Sequence, residues 1–167
     1  MRRILLVVAV VTMVAFSGCA ALNGGSPDGT ADDVAVESDD PGATNVTQTL
    51  RIDVDETAAD SELTAIGATY PRENFTVDAA QHEQIELGVD TDGDGELEEE
   101  FNETHISGVN NNEYSFDIAL ETGYTLQEGD TVVVSYPAVD NPSEPGDYEV
   151  EIRLNDEQNA TDTVEIE

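Results

Sequence analysis

Between Leu50 and Leu154 the chain repeatedly sets apolar side chains at every second position with polar or acidic ones between them. Only an extended strand turns that pattern into one apolar and one wet face. Leu50, Ile52 and Val54 alternate with Arg51, Asp53 and Asp55, and Ile85, Leu87 and Val89 with Glu86, Gly88 and Asp90. Tyr114, Phe116, Ile118 and Leu120 alternate with Ser115, Asp117, Ala119 and Glu121; Tyr148, Val150, Ile152 and Leu154 with Glu149, Glu151, Arg153 and Asn155. Thr131 to Tyr136 is a continuous run, as in a strand buried on both faces or at a sandwich centre. Leu63 to Tyr70, a short edge piece at Phe75 and Val77, and a short final strand at Val164 to Ile166 complete the set. Thr91 to Asn112 reads as a loop, broken by a short strand near His105 and Ile106. No stretch has the spacing of an amphipathic helix. Seven or eight short antiparallel strands separated by Gly/Pro/Asn turns predict an all-β domain, a single β-sandwich over residues 48–167, with a closed barrel as the competing arrangement.

The wet positions are overwhelmingly acidic. The 167 residues hold 38 Asp and Glu against five Arg and no Lys, a net charge of −33. High charge with few aromatics is also the mark of disorder, but acids placed at alternate positions of apolar runs are what the solvent face of a folded sheet requires. At molar salt the screening length falls to about 3 Å and the self-repulsion of such a body nearly vanishes. The composition resembles that of haloarchaeal proteins, in which carboxylates replace lysine over the surface, and that resemblance implies a salt-adapted protein. Nucleic acid is excluded as a partner, because phosphates demand Lys and Arg. One cysteine allows no intrachain disulfide, so the core must hold the fold alone.

The first residues say where the domain works. Arg2 and Arg3 precede an uncharged apolar run from Ile4 to Phe16, and Ser17-Gly18-Cys19 follows at once, the order of a signal peptide over residues 1–18. Phe16-Ser17-Gly18-Cys19 resembles a lipoprotein lipobox, with Phe16 standing where that family usually has Leu. The resemblance implies cleavage before Cys19 and a lipid thioether on its sulfur. A retained membrane helix from Ile4 to Leu22 is the alternative. Either way the positive-inside preference of Arg2 and Arg3 sends the rest to the outer face of the cytoplasmic membrane. Residues 19–47, rich in Gly, Ser, Ala, Asp and Thr, read as a flexible acidic tether. Asp33-Val34-Ala35-Val36-Glu37 is the one place where a first strand competes with that reading.

Pro145-Gly146-Asp147-Tyr148-Glu149-Val150 resembles the start of the penultimate strand of an immunoglobulin-like domain. In that family a Tyr two residues before the core position bonds back across the corner, and Val150 stands where antibody domains carry Cys. Together with Leu126 to Val134, the segment resembles the Ig-like modules of archaeal and bacterial surface proteins. The resemblance covers about the last third of the chain and implies an Ig-like sandwich in a cell-surface setting.

Asp90-Thr91-Asp92-Gly93-Asp94-Gly95-Glu96-Leu97-Glu98 has the D-x-D-x-D-G spacing of a calcium loop. Its expected ligands for a structural Ca²⁺ are Asp90, Asp92, Asp94, the carbonyl of Glu96, and Glu98 directly or through water, with Leu97 packed inward. Phe101 stands where an EF-hand has its bidentate Glu and the incoming segment is a strand, so the expectation is a calcium loop between strands, completed by Glu99 or Glu100. A solvated acidic turn is the simpler alternative. Asn45, Asn74, Asn102 and Asn159 head Asn-x-Thr sequons and are candidate glycosylation sites on an exported chain. His82 and His105 are too few for a zinc site and read as surface residues. No nucleophile elbow, H-E-x-x-H or phosphate loop occurs, and the chain is read as non-catalytic. The function expected is that of a lipid-anchored binding or structural module of the cell envelope, meeting other envelope proteins or glycans. The alternative is a substrate-capturing lipoprotein or accessory subunit of a transporter or surface enzyme.

Overall fold

A computed structural model describes residues 33–167. The expected signal peptide, Cys19 and the first part of the expected tether lie outside the described residues. Eleven strands follow in order: β1 (Asp33–Val36), β2 (Val46–Asp53), β3 (Ala65–Thr69), β4 (Thr76–Val77), β5 (Glu86–Asp90), β6 (Glu99–Phe101), β7 (Ile106–Asn112), β8 (Ser115–Leu120), β9 (Thr131–Asp140), β10 (Gly146–Leu154) and β11 (Gln158–Ile166). Two 3₁₀ turns, His82–Gln84 and Glu103–His105, are the helical pieces among the described residues.

The strands form two antiparallel sheets. One has the order β1-β2-β9-β5-β6, with β4 paired to the far end of β9; the other runs β11-β10-β3-β8-β7. When β1, β2, β3, β5, β9, β10 and β11 are lettered A to G, the first sheet reads A-B-E-D and the second G-F-C. That is the strand order of an immunoglobulin constant-type sandwich. The β7–β8 hairpin, inserted between D and E, extends the second sheet beyond C, and β6 extends the first beyond D.

Alternation decides which side chains meet between the sheets. Leu50 and Ile52 of β2, Val132, Val134 and Tyr136 of β9, Ile66 and Ala68 of β3, Phe116 and Ile118 of β8, and Val150, Ile152 and Leu154 of β10 are all buried in one cluster. Each large aliphatic side chain withdrawn in this way is worth about 1.5–3 kcal/mol. An aromatic file crosses the core. Tyr148 meets Phe75 edge-on at 5.5 Å, Phe75 lies 5.0 Å from Tyr70 and Tyr70 6.4 Å from Phe116. Phe116 then stacks on Tyr136 of the opposite sheet at 4.0 Å. The Tyr148 hydroxyl donates to the Glu144 carbonyl at 2.8 Å, four residues back, and Val150 behind it is fully buried. This is the corner that the Ig-like resemblance implied.

Polar side chains tie the strand ends together. Gln158 of β11 donates through Nε2 to the Asp53 carbonyl and accepts from the Asp55 amide, joining the two sheets. Asn155, held at a positive φ in the β10–β11 turn, accepts from the Thr64 and Ala65 amides and donates to Ser61 and to the Glu62 carbonyl. Asn141 donates to the carbonyls of Ser38 and Asp40, pinning the β1–β2 connection against the end of β9.

Several boundaries differ from the sequence reading. Asp33–Val36, assigned there to the tether, is β1, paired with residues 48–51 of β2, so the sandwich begins well before residue 48. The pair is anchored across the sandwich by the Val34 amide, which donates to Asp162 of β11. The expected loop from Thr91 to Asn112 contains β6 and the whole of β7. Both are edge strands that bury few side chains on either face, so their sequences lack the apolar alternation that marks a central strand. The last strand is nine residues long, paired along the whole of β10, and its first part was missed because its inward positions at Gln158, Ala160 and Asp162 are small or polar. The Thr131–Tyr136 run is the sheet centre and is buried on its inner face, with Thr131, Val133 and Ser135 half-exposed outside.

Phe116→Ala is expected to lower stability by about 3–5 kcal/mol, since it empties the junction of the two sheets. Tyr148→Phe, which loses one hydrogen bond at the surface, should cost about 1 kcal/mol. Urea unfolding at fixed salt distinguishes the two.

Candidate metal site

The carboxylate loop joins β5 to β6 and begins where β5 leaves the sheet. Asp90 is the last residue of β5 and only 5% exposed, which fixes one carboxylate at the root of the loop. The Asp-x-Asp-x-Asp spacing then builds successive turns in which each side chain captures the amide two residues on. Asp90 Oδ1 accepts from Asp92 N at 3.2 Å, Asp92 Oδ1 from Asp94 N at 3.2 Å, and Asp94 Oδ1 from Glu96 N at 2.8 Å. Asp90 also takes the amides of Gly93 at 2.7 Å and Gly95 at 2.8 Å. Gly93 and Gly95 have φ of 76° and 89°, the left-handed region in which a Cβ is strained, and so permit the coil.

The loop is closed on its return side. Glu98 accepts from the Thr91 amide at 2.8 Å, and its own amide donates to the Val89 carbonyl at 3.1 Å. Leu97 does not enter the core. It is half-buried and lies over Gly88 on the outer face of the sheet, where a Cβ at residue 88 would stand 2.7 Å from Leu97 Cδ1 and 2.6 Å from the Glu99 carbonyl oxygen. Gly88 is therefore the place where the strand lets the returning loop approach.

Carboxylate oxygens from Asp90, Asp92, Asp94 and Glu98 lie within 4.8 Å of one another, a group that could hold a metal ion. Four hard oxygen donors suit a hard cation. Glu96, expected to contribute its carbonyl, is outside that carboxylate group. Glu99 and Glu100, either of which was expected to complete the ligand set, belong to β6, where they stand opposite Val89 and Gly88. Thr91, which positions Glu98, was not singled out in the sequence, since a hydroxyl residue beside an acid carries no signal of its own there.

Two neighbouring carboxyls of this group are driven in opposite directions. Burial works to raise the pKa of Asp90, but the Gly95, Gly93, Asp92 and Asp94 amides outweigh it and hold the carboxyl below its ordinary value. Asp92 is pushed above its ordinary value, first by the charge of Asp94, then by desolvation, with Glu98 and Asp90 adding to it. Crowding of this kind is what a bound cation relieves.

The other candidate residues are dispersed. Asn45, Asn74, Asn102 and Asn159 are all exposed, on separate elements. Asn102 caps the second 3₁₀ turn through Oδ1, which accepts from the Thr104 amide and hydroxyl, leaving Nδ2 uninvolved in the cap. His82 and His105 are half-buried rather than fully at the surface, and His105 accepts from the Asn102 amide and packs edge-on against Phe101 at 5.6 Å.

No protein-family model matches this chain, and no curated protein does. Among solved structures it is similar to BslA, a bacterial hydrophobin, at 14% identity and TM-score 0.43, over 81% of this chain and 93% of that one. It is similar to the collagen-binding domain from a Staphylococcus aureus adhesin at 12% identity and TM-score 0.41, over 73% and 88% of the two chains. A protein from Nocardia farcinica with an immunoglobulin-like fold matches at 15% identity and TM-score 0.35, over 77% and 80%. Scores this low leave the fold resting on the strand order and packing given above.

The opposed shifts set a test in metal-free protein. Since the folded pKa of Asp90 lies below 3.8, its charge contributes stability above that pH and the contribution is lost as the pH falls through the folded value. Asp92, shifted upward, weakens the fold once ionised and ceases to do so as the pH drops through its folded pKa. Asp90→Asn is therefore expected to lower the metal-free melting temperature at pH 7, whereas Asp92→Asn raises it slightly.

Proposed function

We propose that this chain is a non-catalytic binding or structural module of the cell envelope, held on the outer face of the cytoplasmic membrane by a lipid on Cys19. The observation that carries the reading is the order Arg2-Arg3, apolar run, Ser17-Gly18-Cys19, followed by a sandwich whose outward positions are crowded with acids. The first part supplies export and an anchor; the second suits a body surrounded by concentrated salt rather than a nucleic acid or an anionic lipid surface. Residues 20–32 separate the anchor from β1 and act as the tether. Glycans at any of Asn45, Asn74, Asn102 and Asn159 would project into solvent without disturbing the core.

The loop from Asp90 to Glu98 binds Ca²⁺ in this reading, with a dissociation constant on the order of 10⁻⁴ to 10⁻³ M, the range of extracellular sites. The ion neutralises Asp92 and Asp94 against their neighbours and locks the β5–β6 connection. Its role is structural, and by bridging carboxylates it also offers a means for this acidic body to meet other acidic envelope proteins.

Intact mass of the membrane-extracted protein is expected to fit a chain that begins at Cys19 and carries lipid. A mass starting at Met1 with a free thiol would remove the anchor from the reading. Independently, Ca²⁺ at about ten times its dissociation constant should raise the melting temperature by about 3–8 °C. That rise should vanish when Asp92 and Asp94 are both replaced by Asn.

A further inference from the structure

Arg153 pairs with Asp117, whereas Arg72 makes no ion pair among the described residues, although two glutamates lie close to it. Its guanidinium lies instead over the Tyr114 ring, 4.0 Å from the centroid, and Nη2 donates to the Tyr114 hydroxyl. Tyr114 belongs to the turn between β7 and β8, and both ends of the segment that carries Arg72 are tied to that turn. The Tyr70 amide donates to the Tyr114 carbonyl at 2.8 Å and the Val77 amide to the Glu113 carbonyl at 3.1 Å. Between these ties residues 71–76 arch outward, turned by Glu73 at a φ of 70° and by the Asn74 amide, which donates to the Pro71 carbonyl at 3.3 Å. Phe75 is buried in the core, while Asn74 and Thr76 on either side of it are exposed. Arch and turn enclose a depression of about 630 Å³ whose walls include Arg72, Glu73, Asn74, Thr76, Glu113 and Tyr114.

We infer that this depression seats a neutral sugar, the first residue of a glycan attached to Asn74. An anionic ligand would meet Glu73 and Glu113 there, and a cationic one Arg72. Sugar hydroxyls use both kinds of group, accepting from the guanidinium and donating to the carboxylates, while the C–H face of the ring rests on Tyr114. The occupant is fixed by where it is attached. Asn74 heads the sequon completed by Thr76, is itself part of the wall, and makes no side-chain hydrogen bond to the described residues. Asn102, by contrast, has its Oδ1 engaged by the amide and hydroxyl of its own Thr104. In the attachment Asn74 Nδ2 bonds to C1 of a sugar carried on a lipid phosphate; the C1–O bond to the phosphate breaks and the amide proton leaves with the phosphate released. A sugar so linked starts inside the depression and loses little further freedom in settling on Tyr114. The outer residues of the glycan run on into solvent. This inference rests on the export proposed above and is independent of calcium.

Full-length protein extracted from the membranes of its native host tests the site. Peptide mass is expected to place a glycan on Asn74, and Asn74→Gln should lower the melting temperature by about 3 °C. With Tyr114→Ala already present, adding Asn74→Gln should cost about 1 °C or less, because the ring that held the sugar is gone. Arg72→Gln, at an exposed position, serves as the background should Tyr114→Ala fail to fold. In protein made by a host that does not glycosylate, Asn74→Gln should leave the melting temperature unchanged, which separates the sugar from the asparagine. An equal loss with and without the Tyr114 ring, an equal loss in unglycosylated protein, or no loss from the glycosylated chain would each overturn the sugar site. So would a bare Asn74. On a chain that begins at lipidated Cys19 that result leaves the anchor standing, whereas on a chain that starts at Met1 with a free thiol the export reading falls as well.

Discussion

The stacking of Phe116 on Tyr136 joins the two sheets at the centre of the molecule, and most of the architecture can be followed outward from it. The chain has no disulfide to hold its sheets together and no tryptophan to fill the space between them. Five of its nine aromatic residues are therefore threaded into a single file from the Tyr148 corner to β9. The Tyr136 hydroxyl ends that file by donating to the Asp78 carbonyl at 2.7 Å and accepting from the Ala80 amide at 3.2 Å, so its polar end is satisfied inside. Burial raises the pKa of both Tyr70 and Tyr136, which keeps the phenols neutral where a phenolate would be costly.

Around this core the acids are excluded from the interior with few exceptions, and the exceptions are informative. Asp130 is buried, yet it accepts from the Tyr124 hydroxyl and the Gln127 amide and so organises the turn before β9. Asp90 is buried and gathers the amides of its own loop. In both cases a carboxylate replaces lost water with fixed donors, the condition for burying charge at modest cost. Gln48 is fully buried on the inner face of β2 without a hydrogen-bond partner for either side-chain atom, which makes it the least well-satisfied position in the core.

The carboxylate loop and the outer face of β2 and β9 lie on the same sheet, and Gly88 connects them. The residue opposite Gly88 is Val133 of β9, and Leu97 from the loop rests above Gly88. The outer face of β5 is thus covered by its own loop near Asp90, while the neighbouring part of β2 and β9 is left open. Order in the loop and exposure of that face are consequently set by neighbouring backbone.

Central strands were legible in the sequence because burial on one face imposes a period of two, as Leu50-Ile52, Phe116-Ile118 and Val150-Ile152 show. The sequons and the Asp90–Glu98 spacing could be read the same way, since each is a local pattern. Edge strands β1, β6 and β7 could not, because strands so short or so exposed bury too few side chains to show that period; pairing makes them strands. The same distinction applies to the site. Local spacing named Asp90, Asp92, Asp94 and Glu98, but only the return of β6 against β5 brought Glu98 onto the others. By itself the sequence determined an acidic all-β body that hides its apolar positions. Tertiary structure alone decided which strands pair and which carboxylates converge, because these depend on contacts between residues far apart in the chain.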